Sequence, residues 1–315
     1  MRAVVTGCAG FIGSHLTERL LADGWSVLGI DALTPTYDTV GRREQVSRLA
    51  GNRRFEFIEG DLNRVDLSEP VEQSDVVFHL AARPGVRASW RDFAQASDDN
   101  IRATQRVLDA VSQHPEARLI FGSSSSVYGL VDEFPVPESR VLAPISPYGV
   151  TKAACEALLS AYASQFDVTV TSLRYFTVYG PRQRSDMAFT RWIRAAINAT
   201  PLPVYGDGKA IRDFTYVDDV VEATVLAAEE ELSGHRIYNV AGGSPVSVNE
   251  VLEMIAELLG VEIEVDYGDA AAGDPPRTGG DTTLITEELG WEPHVSLREG
   301  LTRQVEWFRT SAPDA

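Results

Sequence analysis

Short apolar runs alternate with longer helical patterns through the first half of the chain, and this alternation restricts the fold more than any other feature. The runs predict strands at Ala3–Thr6, Ser26–Ile30, Phe55–Ile58, Asp75–Phe78, Arg118–Phe121 and Val168–Thr171. Helical patterns occupy residues 11–22, 100–113 and 148–165. Several runs are apolar throughout, as expected for parallel strands covered on both faces. The order of elements therefore predicts an α/β fold with a doubly wound parallel sheet.

The pattern changes after Arg174. A loop rich in Gly, Pro and Arg is followed by predicted helices near residues 188–198, from Asp218, and at Ser247–Leu259. Because strand and helix patterns resume late, we expect a smaller lobe that is interleaved with the larger one. The larger, cofactor-binding domain is predicted to comprise residues 1–176, 212–237 and 285–310, and the smaller, substrate-binding domain residues 177–211 and 238–284.

Composition excludes several classes of function. The 315-residue chain has 46 acidic and 28 basic side chains and a net charge of −18, which disfavours nucleic acid and anionic membranes as partners. Two cysteines and five scattered histidines give neither a disulfide framework nor metal-ligand spacing, so we expect no metal. No apolar run reaches the roughly 20 residues of a membrane-spanning helix. The N-terminus has no signal-peptide pattern, so a cytoplasmic location is expected.

A glycine-rich loop joins the first predicted strand to the first helix, with the spacing G-x-x-G-x-x-G. Such loops let the backbone approach a pyrophosphate at a helix N-terminus. Asp31 follows the second strand, where a carboxylate binds the adenosine ribose and repels a 2′-phosphate, so NAD is favoured over NADP. Each signal alone also fits an ordinary turn. The predicted contacts here are Gly7, Gly10, Phe11, Ile12, Gly13, Asp31, Asp61, Leu62, Leu80, Ala81 and Ala82.

A tyrosine and a lysine stand four residues apart in Tyr148-Gly149-Val150-Thr151-Lys152. On a helix, this spacing sets the phenol beside the ammonium. A free tyrosine titrates near 10, too high for a general base at neutral pH, and a nearby cation stabilises the phenolate form. Upstream, residues 123–126 are all serine, and this row of hydroxyls is suited to orienting a sugar alcohol.

In this order, the motifs resemble the extended short-chain dehydrogenase/reductases that act on nucleotide sugars. The resemblance covers nearly the whole chain and implies a Rossmann-like sheet of seven parallel strands with an interleaved substrate domain. It implies that Tyr148 is the catalytic base, Lys152 its activator and Ser124 the hydroxyl that orients the substrate. It also implies a homodimer joined by the helices near 100–113 and 148–165. The cofactor contacts that it adds are Asn100, Ser123, Tyr148, Lys152 and Tyr175.

The serine row restricts the reaction. Nucleotide-sugar 4,6-dehydratases of this family carry an Asp-Glu pair directly after the catalytic hydroxyl, because elimination of water needs an added acid and base. The corresponding residues are Ser125 and Ser126, and UDP-glucuronate decarboxylases resemble the dehydratases in carrying Glu at the second position. Both reactions are therefore disfavoured, which leaves epimerisation at carbon 4 or reduction of a ketosugar.

The segment Gly180-Pro181-Arg182-Gln183-Arg184-Ser185-Asp186-Met187-Ala188 resembles the loop G-P-x-x-R-x-D-M-A of UDP-glucuronate 4-epimerases. Arg184 is expected to form a paired hydrogen-bond fork with a carboxylate, which a neutral hexose does not need. The alternative is a solvated loop on which Arg182 and Arg184 pair with surplus acids. By the same resemblance, Arg212 is expected to bridge the diphosphate, and Arg277 to bind the phosphates or the ribose. The predicted substrate contacts are Arg87, Ser125, Ser126, Thr177, Arg184, Met187, Phe189, Arg212 and Arg277.

The sequence thus predicts an NAD-dependent UDP-sugar 4-epimerase that interconverts UDP-glucuronate and UDP-galacturonate through a 4-keto intermediate. A UDP-glucose/galactose 4-epimerase, a ketosugar reductase and a UDP-glucuronate decarboxylase of the same family remain alternatives. A non-catalytic NAD-binding regulator is the alternative from a different class, and the Tyr148/Lys152 pair argues against it.

Overall fold

The computed structural model describes residues 1–34, 39–270 and 272–311. The strands are β1 (Arg2–Thr6), β2 (Ser26–Asp31), β3 (Phe55–Glu59), β4 (Val76–His79), β5 (Arg118–Ser124), β6 (Val170–Tyr175), β7 (Val178–Tyr179), β8 (Leu202–Tyr205), β9 (Ile211–Arg212), β10 (Thr215–Tyr216), β11 (His235–Val240), β12 (Val246–Ser247) and β13 (Val265–Gly268). The helices are α1 (Phe11–Ala22), α2 (Thr39–Leu49), α3 (Ser68–Glu72), α4 (Val86–Ser89), α5 (Phe93–Ser97), α6 (Ala103–Val111), α7 (Pro147–Phe166), α8 (Ala188–Ile197), α9 (Val217–Glu229), α10 (Val248–Leu259), α11 (Thr283–Leu289) and α12 (Leu297–Ser311).

The central sheet has seven strands in the order β11-β6-β5-β4-β1-β2-β3. Every pair of neighbouring strands in it is parallel. All six strands predicted from apolar runs are present, with ends that differ by a few residues, and β11 supplies the seventh. The predicted doubly wound α/β fold is therefore confirmed.

Helices cover both faces of this sheet, as the apolar strands require. Along β1, Val5 packs with Leu16 of α1 and Val217 of α9 in one apolar cluster. Its neighbour Val4 packs with Leu108 of α6 in the cluster on the other face. Alternate residues of one strand thus enter two different cores, because successive side chains of a strand point to opposite faces.

Strand order reverses between β1 and β4, which are adjacent in the sheet although two strands separate them in the chain. The connections that leave these strands run toward opposite edges of the sheet. They leave a crevice at the carboxyl ends of the strands, where ligands of doubly wound folds bind.

Short strand pairs lie outside the central sheet. These are β8 with β13, β9 with β12 and β7 with β10. Strands β7, β8, β12 and β13 come from the ranges in which the sequence placed the smaller lobe, whereas β10 and the second residue of β9 come from a range given to the larger one. Strand β11 crosses the predicted boundary after residue 237 and lies wholly in the central sheet.

The helix predicted over residues 100–113 is less regular than its pattern suggested. A π-helical turn, Asp98–Arg102, precedes α6. Such turns are commonly found at functional sites, and this one contains Asn100. Across the described ranges, no helix combines the length and apolar character needed to cross a membrane.

Candidate active site

The glycine loop between β1 and α1 is shaped by close backbone contacts. Gly7 has a φ of +73°, and a Cβ atom there would lie 2.8 Å from the amide nitrogen of Ala81. A Cβ at Gly13 would lie 2.1 Å from the carbonyl oxygen of Gly7. Gly10 is the N-cap of α1 and no side chain caps that end, so no capping group competes for the first-turn amides that bind anions such as phosphates.

This loop borders a pocket of about 710 Å³ at the carboxyl ends of the strands. The pocket wall unites motifs from along the chain that the sequence predicted for the cofactor and the reaction. It contains all three predicted catalytic residues and each predicted cofactor contact except Asn100. The predicted residues in the wall are Gly7, Gly10, Phe11, Ile12, Gly13, Asp31, Asp61, Leu62, Leu80, Ala81, Ala82, Ser123, Ser124, Ser125, Ser126, Tyr148, Lys152, Tyr175, Thr177, Arg184 and Met187.

Asp31 lies at the end of β2 and is held by three donors. Its Oδ2 accepts from Ala9 N at 3.1 Å, and its Oδ1 accepts from Leu33 N at 2.9 Å and from the guanidinium of Arg42. Sequence reasoning missed Arg42, which lies in α2 and also lines the pocket. The carboxylate expected to bind a ribose therefore has a positive partner beside it.

The N-terminus of α7 presents Tyr148 and Lys152 to the pocket, as their spacing predicts. Ser146 caps this helix by accepting from Gly149 N at 3.1 Å, and Pro147 begins it. Tyr148 N donates to Ser89 Oγ at 3.0 Å. The Lys152 side chain is buried, and its Nζ donates to the main-chain oxygen of Gly122 at 2.7 Å. The ammonium is thus fixed against the end of β5, beside the serine row.

A buried ion pair, Glu156 with Arg174, binds the first serine of the row. Ser123 Oγ donates to Glu156 Oε1 at 2.5 Å, and Glu156 accepts from Arg174 at 2.7 and 3.0 Å. Glu156 follows Lys152 by one turn of α7, whereas Arg174 lies on β6. Sequence reasoning missed this pair. The spacing of Lys152 and Glu156 indicates that both lie on one face of α7, but it does not identify Arg174 as the partner. The next serine, Ser124, accepts from Ser126 N at 3.2 Å.

Asn100, which the sequence predicts to contact the cofactor, is not among the residues that line the pocket. Its side chain is buried; Oδ1 accepts from Arg83 N at 2.6 Å and Nδ2 donates to Thr151 Oγ1 at 2.9 Å. Thr151 Oγ1 in turn donates to Tyr148 O at 2.7 Å. Because its amide groups are used in this way, Asn100 connects the loop after β4 to the first turn of α7 and positions the catalytic helix.

His79 ends β4 beneath this region, fully buried between two threonines. Thr104 Oγ1 donates to Asn100 O, so it accepts from His79 Nε2–H at 3.0 Å, and His79 Nδ1 accepts from Thr6 Oγ1 at 2.8 Å. Burial, with a contribution from the charge of Lys152, lowers the pKa of His79 to about 3. The imidazole is therefore neutral at pH 7 and serves as a structural link.

Thr177, Arg184 and Met187, from the segment after β6, also line the pocket. Arg184 donates from Nε and NH2 to Asp186 at 2.9 and 3.0 Å, and its side chain is 17% exposed. Arg184 thus faces the pocket and also pairs with an acid of its own loop. A guanidinium carries five N–H donors, and this pairing orients it.

Phe189 lies in the apolar core and not in the pocket wall. It is 1% exposed and packs against Phe214 and Tyr179, with ring centroids 4.7 and 5.2 Å apart. The predicted contact of Phe189 with the substrate therefore has no support from its side chain in this structure. The physical reason is that Phe189, Trp192 and Ile193 share the apolar face of α8.

Three predicted substrate arginines also lie outside this pocket wall. Arg87 stacks on the ring of Tyr205 at 3.5 Å, and Arg191, which sequence reasoning missed, lies 5.7 Å from the same ring. Arg212 pairs with Asp274 at 2.7 Å, and Arg277 lies over the ring of Phe134 at 4.5 Å. A β-bridge joins the backbones of Ile211 and Arg277, so Arg212 and Arg277 lie in adjoining segments.

The chain is similar to known proteins over its whole length. Residues 3–241 match the family described as the NAD dependent epimerase/dehydratase family. An uncharacterized UDP-glucose epimerase of Bacillus subtilis, YtcB, is 40% identical over 311 residues, 98% of each chain. A UDP-glucuronate 4-epimerase of Thermodesulfobacterium geofontis is 34% identical over 310 residues, 97% of this chain and 95% of that protein.

A solved structure agrees with these relatives. The UDP-glucuronic acid 4-epimerase of Bacillus cereus, in complex with UDP-glucuronic acid and NAD, superimposes with a TM-score of 0.94 and 39% identity. The match covers 98% of this chain and 99% of that one. Together with the glycine loop, the Tyr148/Lys152 pair and the seven-stranded sheet, these similarities show that the chain belongs to the NAD dependent epimerase/dehydratase family, the extended short-chain dehydrogenase/reductases.

Proposed function

We propose that this protein is an NAD-dependent UDP-sugar 4-epimerase that interconverts UDP-glucuronate and UDP-galacturonate through a 4-keto intermediate. The observation that carries the proposal is a single pocket that joins Tyr148 and Lys152 to Arg184 and Thr177. The first two residues supply acid-base chemistry, and the second two are suited to a carboxylate.

The residues around the glycine loop fit NAD. The absence of side chains at Gly7 and Gly13 leaves the backbone open to a pyrophosphate, and Asp31 accepts donors where an adenosine ribose would lie. Asp61 and Leu62 would contact the adenine, and Leu80, Ala81, Ala82 and Tyr175 would flank the remainder of the dinucleotide. When bound, the nicotinamide accepts a hydride from the sugar and returns it, so that no cofactor is consumed.

The catalytic residues move one proton. Tyr148 takes the proton of the carbon 4 hydroxyl during oxidation and gives it back during reduction. Lys152, held on Gly122 O at 2.7 Å, places positive charge beside the phenolate. Ser124 orients the same hydroxyl from the end of β5. Hydride that returns to the opposite face of the sugar inverts carbon 4.

The carboxylate must be held during the reaction because a 4-keto uronic acid is a β-keto acid and tends to lose carbon dioxide. Loss is suppressed when the bond from carbon 5 to the carboxylate stays out of line with the π system of the ketone. We assign this role to Thr177, Ser125 and Arg184, which all lie in the pocket wall. Met187 and Ser126 complete the sugar site.

The nucleotide half of the substrate would extend beyond this pocket toward the arginines of the smaller lobe. Arg87 and Arg191 flank Tyr205, and Arg212 and Arg277 occupy adjoining segments. In a chain with a net charge of −18, such a cluster is what a diphosphate requires.

Incubation with UDP-glucuronate and NAD, without added reductant, followed by NMR of the products, tests the proposal. Accumulation of UDP-galacturonate to an equilibrium mixture is the expected result. UDP-pentose as the main product would contradict it, and so would a requirement for stoichiometric NADH, which a ketosugar reductase needs.

A second candidate is a UDP-glucose/galactose 4-epimerase. It is favoured by the pairing of Arg184 with Asp186, which balances the guanidinium charge without a substrate carboxylate. The ratio of kcat/KM for UDP-glucuronate and UDP-glucose distinguishes the two. A ratio well above one supports the uronic acid, and a ratio well below one supports the neutral sugar.

The assembly and its place in the cell are further parts of the proposal. A homodimer would use α6 and α7, where Tyr162 donates to Asp109 and the exposed Phe166 ends the helix. Light scattering should then give twice the mass of the 34.4 kDa chain. We also propose a cytoplasmic location, which fractionation of cells tests. The division into the two domains given above is a further part of the proposal.

A further inference from the structure

The loop that carries Arg184 is attached to α1 through a residue outside the pocket wall. This loop, residues 180–187, leaves the short strand β7 and leads into α8. Arg184 and Met187 line the pocket, whereas Arg182 does not. The role of Arg182 must therefore be sought in its contacts with other parts of the fold.

Arg182 forms a two-pronged ion pair with Glu18 of α1. Its NH1 and NH2 groups donate to Oε1 and Oε2 of Glu18, both at 2.7 Å. The Arg182 side chain is 19% exposed and that of Glu18 is 45% exposed. Pairs with this exposure contribute little to global stability, but a bidentate fork fixes the relative orientation of the two segments.

Backbone geometry indicates that tertiary contacts hold this loop. Arg182 has a φ of +64°, in the left-handed region that non-glycine residues seldom adopt. Gly180 has a φ of +140°, and a Cβ there would lie 2.7 Å from Cγ1 of Val217. The turn is thus close to α9 and is maintained by contacts around Arg182.

His15 extends the same attachment toward the cofactor end of α1. Its Nε2 lies 2.9 Å from Pro181 O and 3.1 Å from Arg182 Nε. Its ring meets the ring of Phe11 edge-on, with centroids 5.9 Å apart. Phe11 begins α1 and lies in the pocket wall, so one continuous set of contacts joins the glycine loop to residues 181 and 182.

The next residue in the chain anchors the loop on the opposite side. Gln183 is buried; its Nε2 donates to Val178 O at 3.0 Å and its Oε1 accepts from Thr190 N at 3.2 Å. Arg184 follows directly. Its backbone position is therefore set by two attachments, one to α1 through Arg182 and one to α8 through Gln183.

We propose that Arg182 is a positioning residue for sugar recognition. Its fork with Glu18 fixes residues 180–187 to α1, so that Arg184 binds the sugar carboxylate from a fixed position relative to the cofactor end of the pocket. This inference rests on the proposed function, since it assigns Arg184 to a carboxylate. Its effect is on affinity for the acidic sugar, because Arg182 touches neither the reacting atoms nor the pocket.

Three variants separate the fork from backbone effects. Arg182→Gly removes the fork and replaces a residue strained at positive φ by one that adopts it freely. Arg182→Lys keeps the positive charge and a non-glycine backbone but cannot form the fork. Glu18→Gln removes the charge of the partner. Glu257→Gln is the matched control, because Glu257 pairs with Arg298 at 2.6 Å and lines no part of the pocket.

All three variants should raise KM for UDP-glucuronate by about five-fold or more. Their kcat, and KM for UDP-glucose, should change by less than about two-fold, as should every constant of the control.

Hydrogen exchange gives a readout that does not depend on turnover. In the NAD-loaded wild type, the amides of residues 183–187 should exchange slowly, and in Arg182→Gly they should exchange at least several times faster. An unchanged KM for UDP-glucuronate in Arg182→Gly and Glu18→Gln would overturn the proposal. If the wild type does not turn over UDP-glucuronate at all, the proposed function is wrong. The attachment is then judged on exchange alone, and equal exchange in wild type and Arg182→Gly would overturn it.

Discussion

The Nζ atom of Lys152 donates a hydrogen bond of 2.7 Å to the main-chain oxygen of Gly122. This bond joins the catalytic helix α7 to the end of β5, one residue before the serine row begins. It fixes a buried ammonium one helical turn from Tyr148 and beside the strand that ends at Ser124, the two residues to which we assign proton transfer and orientation of the sugar.

Replacement of Tyr148 by Phe should lower kcat by about 10²–10⁴-fold, because it removes the proton acceptor and leaves the ring in place. Steady-state kinetics with UDP-glucuronate measures this effect. The content of bound NAD and the unfolding midpoint should not change, and these serve as controls for folding. Activity close to that of wild type would refute the role assigned to Tyr148.

Replacement of Lys152 by Met should reduce both kcat and affinity for NAD. The variant loses the charge beside Tyr148 and leaves the buried Gly122 oxygen without its donor, a loss of about 1–3 kcal/mol in the free energy of unfolding. Steady-state kinetics, NAD binding by calorimetry and urea titration measure these three effects. Lys209→Met is the matched control, since Lys209 is exposed and pairs with Asp207 at 3.1 Å. Equal behaviour of the two variants would contradict the prediction.

Replacement of Arg184 by Ala should weaken recognition of the acidic sugar selectively. We expect KM for UDP-glucuronate to rise roughly 10- to 100-fold, because a charge-assisted bond to the carboxylate is lost. KM for UDP-glucose should change by less than about three-fold. An equal loss for both sugars would show that Arg184 does not read the carboxylate.

Replacement of Asp31 by Ala should relax the preference for NAD over NADP. The variant removes the charge that repels a 2′-phosphate and leaves the guanidinium of Arg42, which lines the same pocket, to meet that phosphate. Binding of both dinucleotides to the apoprotein tests this prediction. The double variant Asp31→Ala with Arg42→Ala should lose the gain in NADP affinity, and retention of that gain would show that Arg42 is not its source.

His79 should make the protein less stable in mild acid. Its folded-state pKa is lowered to about 3, mainly by burial, from an ordinary value of 6.5. The unfolded chain therefore binds a proton below about pH 6.5 that the folded chain rejects, and stability present at pH 7 is lost as the pH falls toward 3. Between pH 7 and 5 this amounts to about 2 kcal/mol.

Urea unfolding of wild type and His79→Gln at pH 7 and pH 5 checks this sign. The variant should lose about 2 kcal/mol less than wild type between the two pH values. An identical pH dependence of the two proteins would contradict the prediction.

The central sheet and most of the pocket wall could be predicted from sequence because their signals are local. Fully apolar runs mark parallel strands, and the positions of Tyr148 and Lys152 depend only on helical periodicity. The glycine spacing is also a local signal, because Gly7 and Gly13 contact each other within the short connection from β1 to α1.

Contacts between distant segments could not be predicted in this way. The pairs Glu156–Arg174 and Glu18–Arg182 join residues on different elements, and no periodicity relates them. Asn100 was assigned by resemblance to a cofactor contact, whereas its side chain is used by Arg83 and Thr151. The burial of Phe189 had a local signal, because apolar residues recur along α8 at helical spacing.

The most direct test of transient oxidation at carbon 4 uses UDP-glucuronate labelled with deuterium at that carbon. Product UDP-galacturonate is isolated after incubation with the NAD-loaded protein and examined by NMR. The account predicts that the deuterium remains at carbon 4 of the inverted sugar, because the hydride leaves and returns within one closed site. Inverted product that has exchanged this deuterium for solvent hydrogen would contradict it.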